Sequence, residues 1–530
     1  MEKEYLAMYD VRGIQNYIFR SNDLQEIIGA SNLVENIIID GLESIITGQS
    51  DWNREEFLTD WKNDNGTEFI DDNSVKMQVL FIGGGNGYVL FRTKNICSKV
   101  NRLLAKYILE HTYSLTLAVA ICEKSESYEE DYKTIQKKMR KIKAKMPETK
   151  PVGIMPFIAA DKVTGYPVSV HNNRKFSKYA DGSIEYLSTE SWLKREHFPH
   201  DENSEKILDN LVIGKGDNSK LALIHIDGNN MGQRLMNIMG MKENKSYKNA
   251  IATMRTISKN IDYAFGKAYK ACELYVGRMT ESVKPGYKGK LIRGIIRAGD
   301  DITFICNVKV AFGCVKAFIY EVSKHVLYEN KAYTRQENIK EYGFSACAGI
   351  AYFNSHFPFR DAYEIAESCC KSAKNRAKSL RCREGGKADG NLGNFVDFQI
   401  CMNVNAGNLN EYREKQYQII NSNQLMIFRP YFIPCHNVQE LGDLNKRNKE
   451  YDILNLEKNL AYFNNKNFFT RSQNKKLRNA FSYGASETEK YIAFLKSRQK
   501  MFPDTDMKTW YDALEIMDYA VVKEGKLICV

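Results

Sequence analysis

Short apolar runs that close on an acid or a glycine turn alternate here with longer stretches in which apolar residues return every three or four positions. The first reads as strand and the second as amphipathic helix. Tyr5-Leu6-Ala7-Met8-Tyr9-Asp10 is a strand ending on acid, and an apolar-periodic helix follows from about 24 to 46. Residues 48 to 75 are polar and acidic, which predicts a surface excursion. Val79 to Ile82, the glycine-rich Gly83-Gly84-Gly85-Asn86-Gly87 and Tyr88 to Phe91 form a hairpin. A helix near 95–110, a strand from Leu115 to Ile121 and a basic helix near 128–146 complete this unit.

The same order recurs. Leu221-Ala222-Leu223-Ile224-His225-Ile226-Asp227 is a strand ending on acid and leads into helical sequence near 244–280. A second hairpin turns at Ala298-Gly299-Asp300-Asp301, followed by a helix near 309–327, the strand Ala346 to Tyr352 and a helix near 359–380. From acid-ended strand to hairpin turn the spacing is 73 residues in the first copy (10 to 83) and 71 in the second (227 to 298). That self-similarity marks an internal duplication. Each copy reads β-α-β-β-α-β, so the expected class is α/β (α+β): two ferredoxin-like sheets with helices on one face.

Between the copies, 151–219 is mixed and polar and reads as an irregular connecting segment. Gly214-Lys215-Gly216 lacks the spacing of a phosphate-binding loop and reads as a turn. After the second copy come a Gly-rich basic loop, Arg381 to Asn394, and the strand Phe395 to Ile400. From 405 to 530 the pattern is helical and amphipathic. The expected boundaries are therefore 1–150, 151–219, 220–404 and 405–530.

Composition adds little beyond this. A hydrophobic share of 43% supports packed cores, and a net charge of +11 suits an anionic ligand such as nucleotide or RNA as well as a solvated Lys-rich surface. Twelve cysteines without a C-x-x-C pair argue against a zinc ribbon and a secreted disulfide scaffold. The chain enters a strand almost at once, leaving no room for a signal peptide, and no apolar run is long enough to span a bilayer. A cytoplasmic setting with no membrane partner is expected.

The candidate chemistry lies at the acid-ended strands of the second copy. A carboxylate at the end of a buried strand is costly unless it is paired or holds a metal. In a ferredoxin-like sheet the first strand and the central hairpin are neighbours, so Asp227, Asp300 and Asp301 are expected to meet. An oxygen-rich pocket of this kind suits Mg²⁺ or Mn²⁺. The bland reading is an ordinary hairpin, since Gly-Asp-Asp also makes a good turn. In the first copy Gly85 and Asn86 stand where Asp300 and Asp301 stand in the second, so Asp10 lacks paired acids. Asn229 and Asn230 follow the catalytic strand, where backbone amides could cradle phosphate or the side chains could cap a helix. His225 carries no assigned role.

Taken together, these residues resemble the palm of the large polymerase/cyclase subunit of type III CRISPR complexes, itself similar to GGDEF cyclases. The carrying residues are Asp227-Gly228-Asn229-Asn230-Met231-Gly232, Ala298-Gly299-Asp300-Asp301, Ala348-Gly349-Ile350-Ala351, Pro358, Ala366-Glu367 through Ala373-Lys374, and Val396-Asp397-Phe398. The first copy resembles that family's degenerate first palm through Asp10, Gly13-Ile14-Gln15 and Gly83-Gly84-Gly85-Asn86, and Arg429-Pro430-Tyr431 resembles the start of its C-terminal helical domain. Ala298 replaces the first glycine of the signature. No nuclease domain precedes the first palm, and zinc-binding cysteines are missing from 147 to 219, so DNA cleavage is not implied. His200-Asp201 lies in the connector, the wrong place for that domain.

The resemblance implies a metal-dependent nucleotidyltransferase. Asp227, Asp300 and Asp301 hold Mg²⁺ or Mn²⁺. Gly228, Asn229, Asn230, Lys374 and Lys378 border the nucleotide, with Lys374 in the family's Ala-Lys position and Lys378 one turn on. A hydroxyl attacks the α-phosphorus of a nucleoside triphosphate, ATP by preference, and pyrophosphate leaves. The implied products are cyclic or linear oligonucleotide messengers in antiviral defence, read by a downstream effector. Two alternatives stay open: a nucleotide-sensing or scaffold subunit of an RNA-bound CRISPR complex, and a cyclase making a dinucleotide from GTP.

Overall fold

The computed structural model describes residues 3–530 apart from 65, 84, 147–156, 171–185, 200–203, 215–218, 242–243, 384–391, 403–407, 435–447, 520–521, 524–525 and 528–530. Gly84 of the first hairpin, Lys215-Gly216, His200-Asp201 and most of the Gly-rich loop 381–394 lie outside the described residues. The chain divides into two compact units. Unit 1 comprises 1–205 and 232–261, and unit 2 comprises 206–231 and 262–530. The sequence drew 220–404 as one segment; residues 232–261 within it group with unit 1, and 405–530 groups with unit 2.

Unit 1 opens with β1 (Tyr5–Arg12), α1 (Ile14–Ile18), α2 (Leu24–Glu35) and α3 (Ile37–Gly48). The single helix expected over 24–46 is interrupted at Asn36, which leaves helical geometry with φ −115° and ψ 9°. Next come β2 (Phe57–Leu58), α4 (Glu68–Asp71), β3 (Met77–Gly83), β4 (Asn86–Phe91), α5 (Lys94–Thr112), β5 (Thr116–Glu123) and α6 (Tyr128–Lys145). The stretch 48–75 is more than a surface excursion. Its scattered aromatics Phe57, Trp61 and Phe69 are buried, and β2 adds an edge strand beside β3. The sheet runs β2-β3-β4-β1-β5.

The connector is also more ordered than its polarity suggested. It contains β6 (Val168–Val170), β7 (Leu187–Ser188) and α7 (Thr189–Glu196). Helix α7 is held by buried ions as well as by the apolar Leu193. Lys194 Nζ donates to Glu190 Oε1 at 2.6 Å and to the Tyr17 carbonyl at 2.7 Å, and Arg195 Nε donates to Glu26 Oε1 at 2.9 Å.

Unit 2 follows with α8 (Ser204–Leu211) and β8 (Lys220–Gly228). Helix α9 (Met231–Met239) and the first part of α10 (Tyr247–Val283) belong to unit 1, and the rest of α10 to unit 2. Then come β9 (Ile292–Ala298), β10 (Asp301–Asn307), α11 (Ala311–Val322), α12 (Arg335–Tyr342), β11 (Ala346–Asn354), α13 (Phe359–Arg383), β12 (Asn394–Ile400), α14 (Leu409–Tyr417) and β13 (Tyr431–Ile433). The sheet order is β13-β12-β11-β8-β10-β9. Its core β11-β8-β10-β9 repeats β5-β1-β4-β3 of unit 1 strand for strand, so the expected pair of ferredoxin-like sheets is present.

The helices do not keep to one face. In unit 1, Tyr9 on one side of β1 donates its hydroxyl to Asn101 of α5 at 2.6 Å, while Leu6 and Met8 on the other side pack in a cluster with Tyr128, Ile135 and Met139 of α6. In unit 2, Phe304 meets Tyr269 of α10 and Phe398 meets Phe312 of α11, whereas Cys347 and Phe395 pack on Cys370, Ala373 and Ala377 of α13. The central strands β1 and β8 are buried on both faces along most of their length. An unbroken apolar run, without strict alternation, is the sign of a sheet covered on both sides.

The C-terminal segment completes the second sheet through β13 and continues as helices, among them 453–464, 471–482, 485–497 and 510–516. It is fastened by buried charge. Arg413 grips Asp397 of β12 with two bonds of 2.9 and 2.8 Å, and Arg429 Nη1 donates to Asp512 at 2.9 Å and Glu515 at 2.7 Å. Among the described residues no helix is long and apolar enough to cross a membrane.

Candidate active site

Strands β8 and β10 are antiparallel and place Asp227 directly opposite Asp301. Directly opposed residues on one face have Cβ atoms roughly 4.5–5.5 Å apart, close enough for two carboxylates to address one ion. Two-residue alternation sets His225 beside Asp227, and Thr303 beside Asp301, on the same face. Helix α13 lies over that face and brings Lys374. Its Nζ is 2.5 Å from Asp227 Oδ2 and donates to the Gly228 carbonyl at 2.9 Å. Burial alone would lower the Lys374 pKa, but the Asp227 charge outweighs it and the net direction is up.

Each acid has its own neighbour. Asp227 has Lys374. Asp301 Oδ1 lies 3.3 Å from His225 Nδ1, which also stands 3.0 Å from Thr303 Oγ1. Asp300 occupies the turn, and its carbonyl accepts the Gly228 N–H at 3.2 Å. Its carboxyl is pushed up to about 7, first by burial and then by the Asp227 charge, with Asp301 adding to the effect. A Cβ on Gly228 would lie 2.9 Å from Asp300 Oδ2 and 3.1 Å from its Cβ, so this position must be glycine for the turn to close on the strand.

Among the described residues no group of three or more His, Cys, Asp or Glu side chains stands in a metal-holding arrangement. Asp227 and Asp301 stand opposite each other, and Asp300 lies near enough for both of their charges to act on its carboxyl. Lys374 stands beside Asp227 and His225 beside Asp301, while Asp300 feels the like charges of both and its carboxyl is raised. The donors fit a hard divalent cation in kind: the Asp227 and Asp301 carboxylates and the Gly228 carbonyl are all oxygens. The Lys374 ammonium, set between Asp227 and Gly228 O, shows that the spot favours positive charge.

The other expected residues separate. Asn229 is buried, its N–H donates to Ser345 O at 2.8 Å, and its amide donates to Gly393 O at 2.8 Å and Ser345 Oγ at 3.2 Å. The Asn229 N–H and side chain are committed to protein partners, so Asn229 positions the strand end. Asn230 adopts a left-handed conformation, φ 54°, at the head of α9. Lys378 is exposed one turn beyond Lys374. His225, to which sequence reading gave no role, touches a site carboxylate, and its ring meets Tyr363 of α13 edge-on at 5.7 Å. Its place two residues before Asp227 was the available signal.

Unit 1 repeats the frame without the chemistry. Asp10 pairs in register with Asn86 as Asp227 does with Asp301, and the Val11 N–H donates to Gly85 O at 2.9 Å as Gly228 does to Asp300. Lys143 bonds Asp10. Lys143 stands 15 residues into α6, and Lys374 stands 15 residues into α13.

A ferredoxin-like sheet with opposed carboxylates at the end of its central strands, and a lysine from the covering helix, defines a palm. Residues 220–381 match the family model described as Cas10/Cmr2, second palm domain, and in this domain the chain is Cas10-like. The crystal structure of Csm1 from T. onnurineus superposes with a TM-score of 0.51 at 14% identity, covering 99% of this chain and 70% of that one. A Csm1-Csm4 cassette in complex with AMPPNP gives 0.46 at 13% identity, covering 98% and 69%. Another in complex with cA3 gives 0.46 at 13% identity, covering 98% and 70%. No curated protein matches the sequence.

Proposed function

We propose that unit 2 is a metal-dependent nucleotidyltransferase that joins or cyclises nucleoside triphosphates, ATP first among them, into oligonucleotide messengers with release of pyrophosphate. The observation that carries this reading is the register pairing of Asp227 with Asp301 under Lys374 on a palm sheet. Asp227, Asp301 and the Gly228 carbonyl would hold Mg²⁺ or Mn²⁺. When bound, the ion supplies Lewis-acid stabilisation of charge on the reacting phosphate. Lys374 offsets the carboxylate charge that would otherwise repel a triphosphate, and Lys378 extends the positive face along α13. His225, itself positioned by Thr303, borders the Asp301 carboxylate. A sugar hydroxyl oxygen gives up its proton to solvent and bonds to the α-phosphorus, the bond from the α-phosphorus to the α–β bridging oxygen breaks, and pyrophosphate carries away the electron pair. No side-chain nucleophile is required. The family resemblance sets this activity in antiviral defence, with the product read by a separate effector.

The test is incubation of the purified protein with each labelled triphosphate and Mg²⁺ or Mn²⁺, with products resolved by mass. Stoichiometric pyrophosphate and an adenine oligonucleotide are expected. A folded protein that releases no pyrophosphate from any of the four with either ion overturns the proposal.

A further inference from the structure

Unit 1 contains a cavity of about 370 Å³ between α6 and the C-terminal end of α9. It uses none of the residues of the candidate active site. Its buried side is apolar and aromatic: Met239 lies there with Tyr132 and the partly exposed Met236. Tyr132 is half-buried with Tyr88 and Tyr128 beside it, each with its centroid 5.9 Å away and its plane within 29° of parallel. Lys133, Lys137 and Arg140 stand exposed at the edge. Lys133 is paired with Glu129 one turn back, whereas Lys137 and Arg140 form no ion pair among the described residues. All three acids of α6 sit in its first turn, and the rest of the helix carries seven Lys and Arg.

This cavity has two chemical halves. A held aromatic face with two thioethers accepts a planar ring. Two unpaired cations one turn apart accept phosphate oxygens. A volume of this size falls within the range, about 300–1,000 Å³, of small-molecule sites. A packing defect in the core would not be rimmed by cations, and a site for an acidic peptide would not need the stacked ring. We propose that the cavity is a second nucleotide site, taking the base against Tyr132 and Met236 and the phosphates against Lys137 and Arg140. The same chemistry is offered by a free nucleoside triphosphate and by one residue of single-stranded RNA.

The experiment uses the full chain carrying Tyr132→Trp and reads fluorescence of the introduced tryptophan. The probes are ATP, adenosine and a six-residue oligoadenylate. Saturable quenching by ATP is expected, at least tenfold weaker with adenosine and at least tenfold weaker in a Lys137→Glu/Arg140→Glu background. Both charges are exposed, so reversal leaves the core intact, and circular dichroism checks this. Photo-crosslinking of 8-azido-ATP to unsubstituted protein should label peptides from 128–140 or 236–240. Quenching should survive Asp301→Ala, which separates this site from the proposed catalytic one. Quenching by the oligoadenylate and not by ATP supports the site with RNA as its source. Absence of quenching by both, or quenching indifferent to the double charge reversal or abolished by Asp301→Ala, overturns the proposal.

Discussion

The two sheets of this molecule share a four-stranded plan and part, at the end of the central strands, at the hairpin turn. Both place an aspartate at the end of the central strand, both set a lysine over it from the same point of a covering helix, and both tie the following residue's N–H to the hairpin turn. Only unit 2 has carboxylates at the turn: Asp300 and Asp301 against Gly85 and Asn86. An aspartate–lysine pair alone is a satisfied ion pair. Adding one opposed carboxylate leaves an excess of negative oxygen that a divalent cation can neutralise. The frame is therefore structural, and the chemistry rests on what the hairpin adds to it.

The largest test of this contrast is catalytic. Asp301→Ala should cut pyrophosphate release at least a thousandfold, and Asp10→Ala should leave most of it. Melting curves with and without Mn²⁺ should show metal-induced stabilisation lost in the first variant and kept in the second. Equal loss in both would mean that the two palms share the chemistry.

The next test concerns how each palm is fastened to its accessory segment. Arg413→Ala would remove the bidentate partner of the buried Asp397, and Arg195→Ala the cation bonded to the buried Glu26. Removing one partner of a buried pair costs about 3–5 kcal/mol. Urea titration should show midpoint losses of that order for each, in the unit that carries the change. A surface-like effect below about 1 kcal/mol at either position would show that its segment is merely apposed.

A third test asks whether unit 1 can be converted. Gly85 has φ +76°, and a Cβ there would come within 2.5 Å of Ile14 Cδ1. Gly85→Asp should therefore cost about 1–3 kcal/mol. The double variant Gly85→Asp/Asn86→Asp should not restore pyrophosphate release to Asp301→Ala protein, and recovered release would show that two carboxylates suffice.

The smallest effect is expected from Asp300. Its folded carboxyl is raised to about 7 from an ordinary 3.8, by burial first and by Asp227 second. Between those values the unfolded chain has already lost a proton that the folded chain keeps. Stability from this group is thus full below the unfolded value, falls as pH rises toward 7, and stays low above it. Part of the side chain meets solvent, so the loss is about 1–2 kcal/mol. Asp300→Asn should flatten that dependence in EDTA-treated protein, and an unchanged pH profile would refute the assignment.

Much of this was legible in the sequence because it rests on local pattern. Apolar runs ending on acid gave the strands, the repeat spacing gave the duplication, and strand adjacency put Asp227 beside Asp301. What escaped depends on contacts distant in sequence. Lys194, Arg195 and Glu190 look like a solvated helix face, and only partners far upstream, the Tyr17 carbonyl, Arg20, Asp23 and Glu26, explain their burial. Arg429 and Asp512 lie 83 residues apart in bonded contact, with no periodicity to link them. Asn229 looked like a ligand for phosphate because its partners, Ser345 and Gly393, belong to other strands' ends.

The late closure of the second sheet has a consequence for synthesis on the ribosome. Asp227, Asp301 and Lys374 emerge early, but β12 is not covered at its edge until β13 is made, and Arg429 meets Asp512 and Glu515 only near the end. Until then the buried Arg429 has Asp397 beside it but lacks Asp512 and Glu515, and the edge of β12 is open. A nascent chain halted after Lys374 would hold every proposed catalytic group on an unfinished sheet, so competence should arrive as a single late event when the C-terminal helices clear the exit tunnel.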